Sequence, residues 1–418
     1  MLMHRLVLSE LLHNPLVFSK PAFERIILQN CIKEARVQLF DVLPQPSQDS
    51  YERAARTALY EICEEKRDTM PLRSYATTWA PVDNDTDDDK KKKMSAHLQA
   101  LRAVVQPEQR TPEWYTMRNG LITASSASKV LFSEASAFAL LVDKVETGSV
   151  KGQSSFLNDN VPLEWGKKYE PLSVMYYERL YDTTVQEYGC LIHQSPQYYF
   201  IGASPDGINT KEDSPRFGRM LEIKNVFTRE INGVPKEEYW VQMQMQMEVC
   251  DLGECDFLET KYKEHESRES YIAARELVKD DKDLRFGVIA VFVSNGAFLY
   301  EYGPLGMSLE EQDAWLIEKR EKQEKQENNW YRNIYWELEK VSCVLVLRNR
   351  AWFSAAAPKM AEFWGRVETM RSDPVAWNIT KTERDSKRKR KPAVITSTAA
   401  PTTTVCYLRT KESKKKPT

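Results

Sequence analysis

The chain has 418 residues, 42% of them hydrophobic and 29% charged, which bounds it to one or two globular domains with a well-solvated surface. Its seven scattered cysteines form no CxxC and its five histidines no HExxH or HxH. This excludes a disulfide framework, a zinc or iron–sulfur cage and a histidine-built metal site, and points to a reducing compartment.

The N-terminal MLMHRLVLSELLHNPLVF is apolar but interrupted by His4, Arg5, Glu10 and His13. It is expected to be neither a signal peptide nor a membrane span, and no later apolar run is long enough to cross a membrane. FERIILQNCIKEARVQLFDVL and YERAARTALYEICEE repeat apolar residues at three- and four-residue spacing, predicting two helices with one buried stripe each. Together they suggest a helical N-terminal extension over 1–95. Near its end PVDNDTDDDKKKK (81–93) holds charge blocks that cannot pack, and is expected to be an exposed linker.

From 105 to 345 helix and strand signals alternate. Thr111 is a candidate N-cap with Pro112 at the first helical position. PLEWGKKYEPLSVMYYERLY has helical spacing, whereas YGCLIHQ, YYFIGAS and RMLEIKNV are short and apolar or alternating, as strands are. KEEYWVQMQMQMEVCDL returns to helix and CDFLETKY to strand. RFGVIAVFVSNGAFLYEY predicts a hairpin turning at Asn295-Gly296, and Ser308 with Glu311 predicts a capping box opening a long charged helix to about Lys340. The order reads as an α/β core with a central mixed β-sheet flanked by helices. A helical segment is expected over 346–380 and a disordered basic tail over 381–418.

The net charge of −2 is uneven: the tail has 12 Lys or Arg against three acids, a balance of +9 that leaves −11 for residues 1–380. SKRKRKP (386–392) has the density of a nuclear localisation signal. A solubilising tail and a phosphate-binding or nuclear-import segment both suit it.

The chemistry concentrates in GASPDGINTKEDSPRFGRMLEIK (202–224). Asp206 ends an apolar strand, and Glu222 and Lys224, two apart, share one strand face while Leu221 and Ile223 share the other. If the two strands pair through the loop 207–219, the acids and the lysine converge. Buried together they are costly unless something offsets their desolvation, and a hard divalent cation such as Mg²⁺ does so. The lysine could then hold or deprotonate a water, or stabilise charge on a phosphorane. An exposed hairpin with a turn Asp and cross-strand charges fits these few residues equally.

The surroundings add to the pattern. RNGLITASSASKVL, WGKKYEP, SPDG, LEIK and YWVQMQMQME, in this order over roughly 110–260, resemble the five motifs of the PD-(D/E)xK nuclease superfamily in its phage lambda exonuclease-like branch, the YqaJ-type viral recombinases. The resemblance implies a restriction-endonuclease-like core. It makes Asp206 and Glu222 metal ligands with the Ile223 backbone carbonyl, Lys224 the catalytic lysine, and Glu170 a further acid that helps hold a second metal. Arg118 and Ser125 match residues that hold the 5′-phosphate of a DNA end. Gln242 matches a helix glutamine near the active site, with most of the Gln/Met stripe around it expected to be packing. Asn225 follows the lysine where relatives often have another residue before a proline, a departure expected to alter only the strand's exit.

The implied function is a Mg²⁺-dependent deoxyribonuclease with two metals per site, Mn²⁺ substituting. It would be a 5′→3′ exonuclease on double-stranded DNA ends, serving recombination or repair, inside a cell, at a viral replication site or in a host nucleus. The implied partners are DNA ends, a single-strand annealing protein and copies of the chain in a trimer. A structure-specific endonuclease and a non-cleaving DNA-end scaffold are the alternatives.

Overall fold

Residues 2–39, 48–76, 88–108, 111–146, 161–278 and 282–390 are described by the structure, a computed structural model. Contacts divide the chain into two units, 1–368 and 369–418.

The first unit opens with three amphipathic helices, α1 (Leu2–His13), α2 (Phe23–Leu39) and α3 (Gln48–Glu65). They pack on one another and bury Leu11, Ile27 and Leu59. Strand β1 (Tyr75–Ala76) and α4 (Asp88–Arg102) follow. Part of the expected linker is therefore helical: residues 88–93 begin α4, where Asp88 and Asp89 sit in the first turn, favourable against the helix dipole. Residues 81–87 lie outside the described residues. Thr111 caps α5 (Pro112–Asn119), its hydroxyl accepting from the Trp114 amide at 3.3 Å. Next come β2 (Ile122–Thr123), α6 (Ala124–Phe132), α7 (Glu134–Glu146) and α8 (Val161–Tyr181).

Five short strands succeed α8: β3 (Val185–Gln186), β4 (Leu191–Ile192), β5 (Ile201–Ala203), β6 (Gly207–Asn209) and β7 (Met220–Asn225). Then come α9 (Glu237–Cys250), β8 (Glu254–His265), α10 (Arg268–Leu277), α11 (Lys282–Arg285), and the hairpin β9 (Phe286–Ser294) and β10 (Ala297–Tyr302). Asn295 and Gly296 take φ of 49° and 78° at its turn, as a two-residue type I′ connection requires. The capping box of Ser308 and Glu311 opens α12 (Leu309–Glu324).

The helix expected to run to Lys340 stops at Glu324, and residues 329–347 form the 19-residue strand β11 (Asn329–Leu347). The charged run that follows the capping box had suggested one continuous helix. Between them Ile334, Trp336 and Leu338 repeat with period two and bury themselves in the core. Two helices, α13 (Arg350–Ser372) and α14 (Pro374–Arg390), complete the described chain. In the second unit Thr380 Oγ1 lies 3.7 Å from Met370 Sδ. Residues 391–418 of the basic tail lie outside the described residues.

The large sheet runs β10-β9-β11-β8-β7-β6-β3, with β1 added to β11. It is mixed, because β7 and β8 are parallel and the other pairs antiparallel. A small sheet, β2-β5-β4, stands beside it. The expected pairing of FIGAS with LEIK is thus corrected: β5 belongs to the small sheet, and Gly207, expected in the loop 207–219, begins the strand that pairs with β7.

Helix α8 covers one face of the large sheet. Its Tyr169, Leu172 and Tyr176 pack on Tyr262, Ile289, Ile334 and Trp336, and its Tyr177 on Leu221, Ile223 and Leu258. Helix α9, buried on most sides, lies under β5, β8 and β11. The N-terminal segment is tied to its start: Arg73 donates to the Pro235 and Ser19 carbonyls at 2.6 and 3.1 Å, and Trp240 Nε1 donates to the Arg73 carbonyl at 2.8 Å.

Two stability predictions follow from this packing. At Gly287 an added Cβ would stand 2.4 Å from Trp336 Cζ2, in the ring of a fully buried side chain. Gly287→Ala is expected to cost about 1–3 kcal/mol, read from the urea midpoint. At the end of α9, Arg348 donates to Glu248 at 2.8 Å and to Asp251 at 2.6 Å. Burial lifts the Glu248 carboxyl, but His193, 3.8 Å away, and the hydrogen bond and charge of Arg348 outweigh it and hold the group below its ordinary 4.5. A depressed carboxyl stabilises the fold above its unfolded value and loses that contribution as pH falls through the folded one. Acidification below pH 4.5 is therefore expected to lower the thermal midpoint, with a shallower slope in Arg348→Met.

Candidate active site

Alternation along β7 sends Leu221, Ile223 and Asn225 towards α8, and Glu222 and Lys224 towards the side of α9. Strand β6 pairs with β7 only at Gly207–Leu221 and Ile208–Met220, so from Glu222 onward that edge of β7 has no strand partner. Asp206 fills the gap, its Oδ2 accepting the Ile223 amide at 2.6 Å. The N–H and C=O of one strand residue point to the same edge, which directs the Ile223 carbonyl to the Asp206 side as well.

Glu222 is 0% exposed. Its Oε1 is ion-paired with Lys224, and its Oε2 accepts from Gln246 Nε2 at 2.7 Å. Burial first, then the charge of Glu222 and more weakly that of Glu170, raise the Asp206 carboxyl well above its ordinary value against the pull of Lys224 and the Ile223 amide. Burial works against the charge on Lys224, but Glu222 and Asp206 outweigh it and hold the ammonium above its usual range. The sheet edge therefore collects more negative charge than one lysine neutralises. Glu170, exposed on α8, adds to it from around the edge.

The structure joins this edge to the segment carrying Arg118. Parallel pairing of Ile122–Thr123 with Ile201–Gly202 sets β2 beside β5, a few residues before Asp206. Arg118 Nη1 donates to Ser204 Oγ at 3.4 Å, and its guanidinium lies 4.5 Å over the Trp114 ring. The Ser204 carbonyl accepts from Gln246 at 3.2 Å, so polar contacts run from Arg118 through Ser204 and Gln246 to Glu222. Ser125 is exposed in the first turn of α6, its Oγ 3.3 Å from Thr123 Oγ1. Thr123 makes no side-chain cap bond at that helix start.

Two residues emerge that sequence reasoning left as packing or as a strand exit. Gln246, rather than the half-buried Gln242 one turn earlier, is the glutamine that reaches Glu222. Asn225 does more than alter the strand's exit: its Nδ2 donates to the Gly166 carbonyl at 2.9 Å, and its Oδ1 accepts from Ser173 and Thr260, each at 2.7 Å. These bonds fasten β7 to α8 within one turn of Glu170. The helical spacing of Gln242 and Gln246 was a signal for the first; nothing local signalled the second.

Among the described residues, no three His, Cys, Asp or Glu side chains form a ready metal-holding group. The donors at the edge nevertheless suit a hard divalent cation: two carboxylates, Glu222 buried and Asp206 raised by burial and by the charge of Glu222, and a backbone carbonyl, all oxygens. The Gln246 Oε1 is buried and without a hydrogen-bond partner among the described residues.

This is an α/β protein whose sheet edge carries an Asp…Glu-x-Lys group. Residues 113–253 match the family model of the YqaJ-like viral recombinase domain. Over 315 residues it is 30% identical to an uncharacterized protein of Acanthamoeba polyphaga mimivirus, an alignment covering 65% of this chain and 55% of that relative, so the chain spans about half the relative's length. It is also similar to an alkaline exonuclease from Laribacter hongkongensis, LHK-Exo, in two crystal structures. The one in complex with dAMP is 19% identical with a TM-score of 0.37, the other 20% identical with 0.36. Each alignment covers 67% of this chain and all of the other.

Proposed function

We propose that the chain is a metal-dependent DNA nuclease, a 5′→3′ exonuclease acting on double-stranded ends, with residues 105–345 as its catalytic domain. The observation that carries this reading is the gathering of Asp206, Glu222 and Lys224 at one open sheet edge, linked by hydrogen bonds to Arg118. Asp206, Glu222 and the Ile223 carbonyl would hold Mg²⁺, with Glu170 beside a second ion. Such ions, when bound, lower the pKa of water and offset charge on the phosphate. Lys224 would orient the attacking water or stabilise the phosphorane charge, Gln246 would keep Glu222 in place, and Gln242, a turn away, would position water or phosphate. Arg118 and Ser125 at the start of α6 would take the 5′-phosphate by charge-assisted hydrogen bonds.

The matched domain supports a role in DNA recombination and the mimivirus relative a viral setting, while a replication site or a host nucleus extends the reading from the resemblance. A trimer and a strand-annealing partner extend the reading from the resemblance. No helix among the described residues is long and apolar enough to cross a membrane. The test is a linear duplex with or without a 5′-phosphate, mixed with a closed circle. Faster release of mononucleotides from the phosphorylated end, with the circle intact, supports an exonuclease of this polarity. Cutting of the circle would replace it with an endonuclease.

A further inference from the structure

Both carboxylate oxygens of Glu222 are engaged: Lys224 is ion-paired with Oε1, and Gln246 donates to Oε2 at 2.7 Å. One of these donors must withdraw before the carboxylate can ligate a cation. Gln246 is 0% exposed and also donates to the Ser204 carbonyl at 3.2 Å, so it is held from two sides. Lys224 is the one free to leave, because its side chain is 25% exposed and its stem is flexible. An ammonium released beside buried strands needs another anion within reach.

Glu259 on β8 meets that need. In the parallel pairing of β7 with β8, Lys224 stands opposite Glu259 and Glu222 opposite Phe257. Opposed residues of neighbouring strands point to one face, about 4.8 Å apart in the backbone. Glu259 is 1% exposed; its Oε1 is ion-paired with Arg229, and its Oε2 is buried with no hydrogen-bond partner among the described residues. The Tyr239 ring of α9 brings the two cations together: Lys224 Nζ lies 5.1 Å from its centroid and the Arg229 guanidinium 5.6 Å. Burial raises the Glu259 carboxyl, and Arg229, Lys236 and Lys224 pull it down. Three cations around one acid repel a metal ion, whereas its open oxygen suits an ammonium already beside it.

We propose that Glu259 is a positioning residue of the candidate centre, the alternate acceptor to which the Lys224 ammonium moves when Glu222 takes up a divalent cation. The inference rests on the metal-dependent reading of the sheet edge. The move frees Glu222 Oε1 as a ligand and keeps the lysine anchored on the same face, where its proposed role requires it. If Glu259 served only to neutralise Arg229, its second oxygen would have no task inside the core, and burying it unpaired would only destabilise the fold.

The test needs no cleavage. Mn²⁺ alone is titrated by calorimetry into the full chain as wild type, Glu259→Gln, Lys224→Met and the double variant. Glu259→Gln keeps the shape and one oxygen for Arg229 but denies the ammonium its acceptor. It is expected to weaken Mn²⁺ binding about tenfold or more. With Lys224→Met no ammonium competes for Glu222, so adding Glu259→Gln is expected to leave the affinity unchanged. Circular dichroism and the urea midpoint check that each variant folds. Should Glu259→Gln fail to fold, Glu259→Asp, which holds the charge on a shorter stem, is read in the same two backgrounds, with weaker binding expected only where Lys224 is present. Equal weakening in both backgrounds, as loss of a merely structural residue would give, overturns the proposal and leaves the metal centre standing. Unchanged affinity in both does the same. A wild-type chain that binds neither Mn²⁺ nor Mg²⁺ overturns the proposal together with the metal-dependent reading.

Discussion

Replacing Glu222 by Gln is expected to reduce DNA cleavage by about 10³-fold or more while the chain stays folded. A metal at a phosphoryl centre supplies several kcal/mol of charge stabilisation, and each 1.36 kcal/mol is tenfold in rate. The carboxamide keeps the shape of a fully buried side chain, so the loss falls on chemistry rather than on packing. Lys224→Ala should cost about 10²–10³-fold, as loss of one electrostatic partner of the reacting phosphate does. It should also do something that Glu222→Gln does not. Removing the ammonium leaves buried Glu222 and the raised Asp206 without positive charge. The variant should melt earlier than wild type in EDTA, and Mg²⁺ should recover part of the difference, because a ligand that binds only the folded state stabilises it. Thermal melts with and without Mg²⁺, beside the cleavage rates, check both statements.

The second large effect is expected far from the chemistry. Asp256 has a side chain only 1% exposed and accepts from Tyr177 at 2.7 Å and from Arg219 at 3.3 Å, with Arg216 ion-paired to it. Asp256→Ala would leave the Arg216 guanidinium without its carboxylate and the buried Arg219 with Glu254 alone beneath α8. Breaking such a group from one side typically costs about 3–5 kcal/mol, and urea denaturation should read that loss. Replacing Tyr177 by Phe removes one neutral hydrogen bond and should cost about 1 kcal/mol. If the two variants proved equally mild, the carboxylate would not be the centre of this cluster.

What was legible in the sequence was local. Thr111 before Pro112, Asn295-Gly296 and the Ser308/Glu311 box each signal a backbone event through residues within four positions, and the structure has all three. The central mixed sheet with flanking helices was legible as alternation of period. Strand β11 was not: its place is decided by β8 and β9 on either side, a pairing across up to 93 residues that no window sees. The same limit applies at the site. Asp206, Glu222 and Lys224 stood out as a group, but the small strand that brings Asp206 to Ile223 has three residues and no pattern of its own. Gln242 and Gln246 share a helix face, so only the seating of α9 against the sheet selects Gln246 as the partner of Glu222. Asn225 resembled a loose strand end because its three side-chain bonding partners come from α8 and β8, far from it in sequence.

The most direct measurement is the release of acid-soluble nucleotide from an end-labelled linear duplex by the full chain, in Mg²⁺ and in EDTA, beside Glu222→Gln. Release that requires Mg²⁺ and disappears in the variant is the predicted result. Release that persists in EDTA or in Glu222→Gln, or no release with Mg²⁺ or Mn²⁺ from a chain that still binds DNA ends, would contradict the assignment of the sheet edge as a metal-dependent nuclease centre.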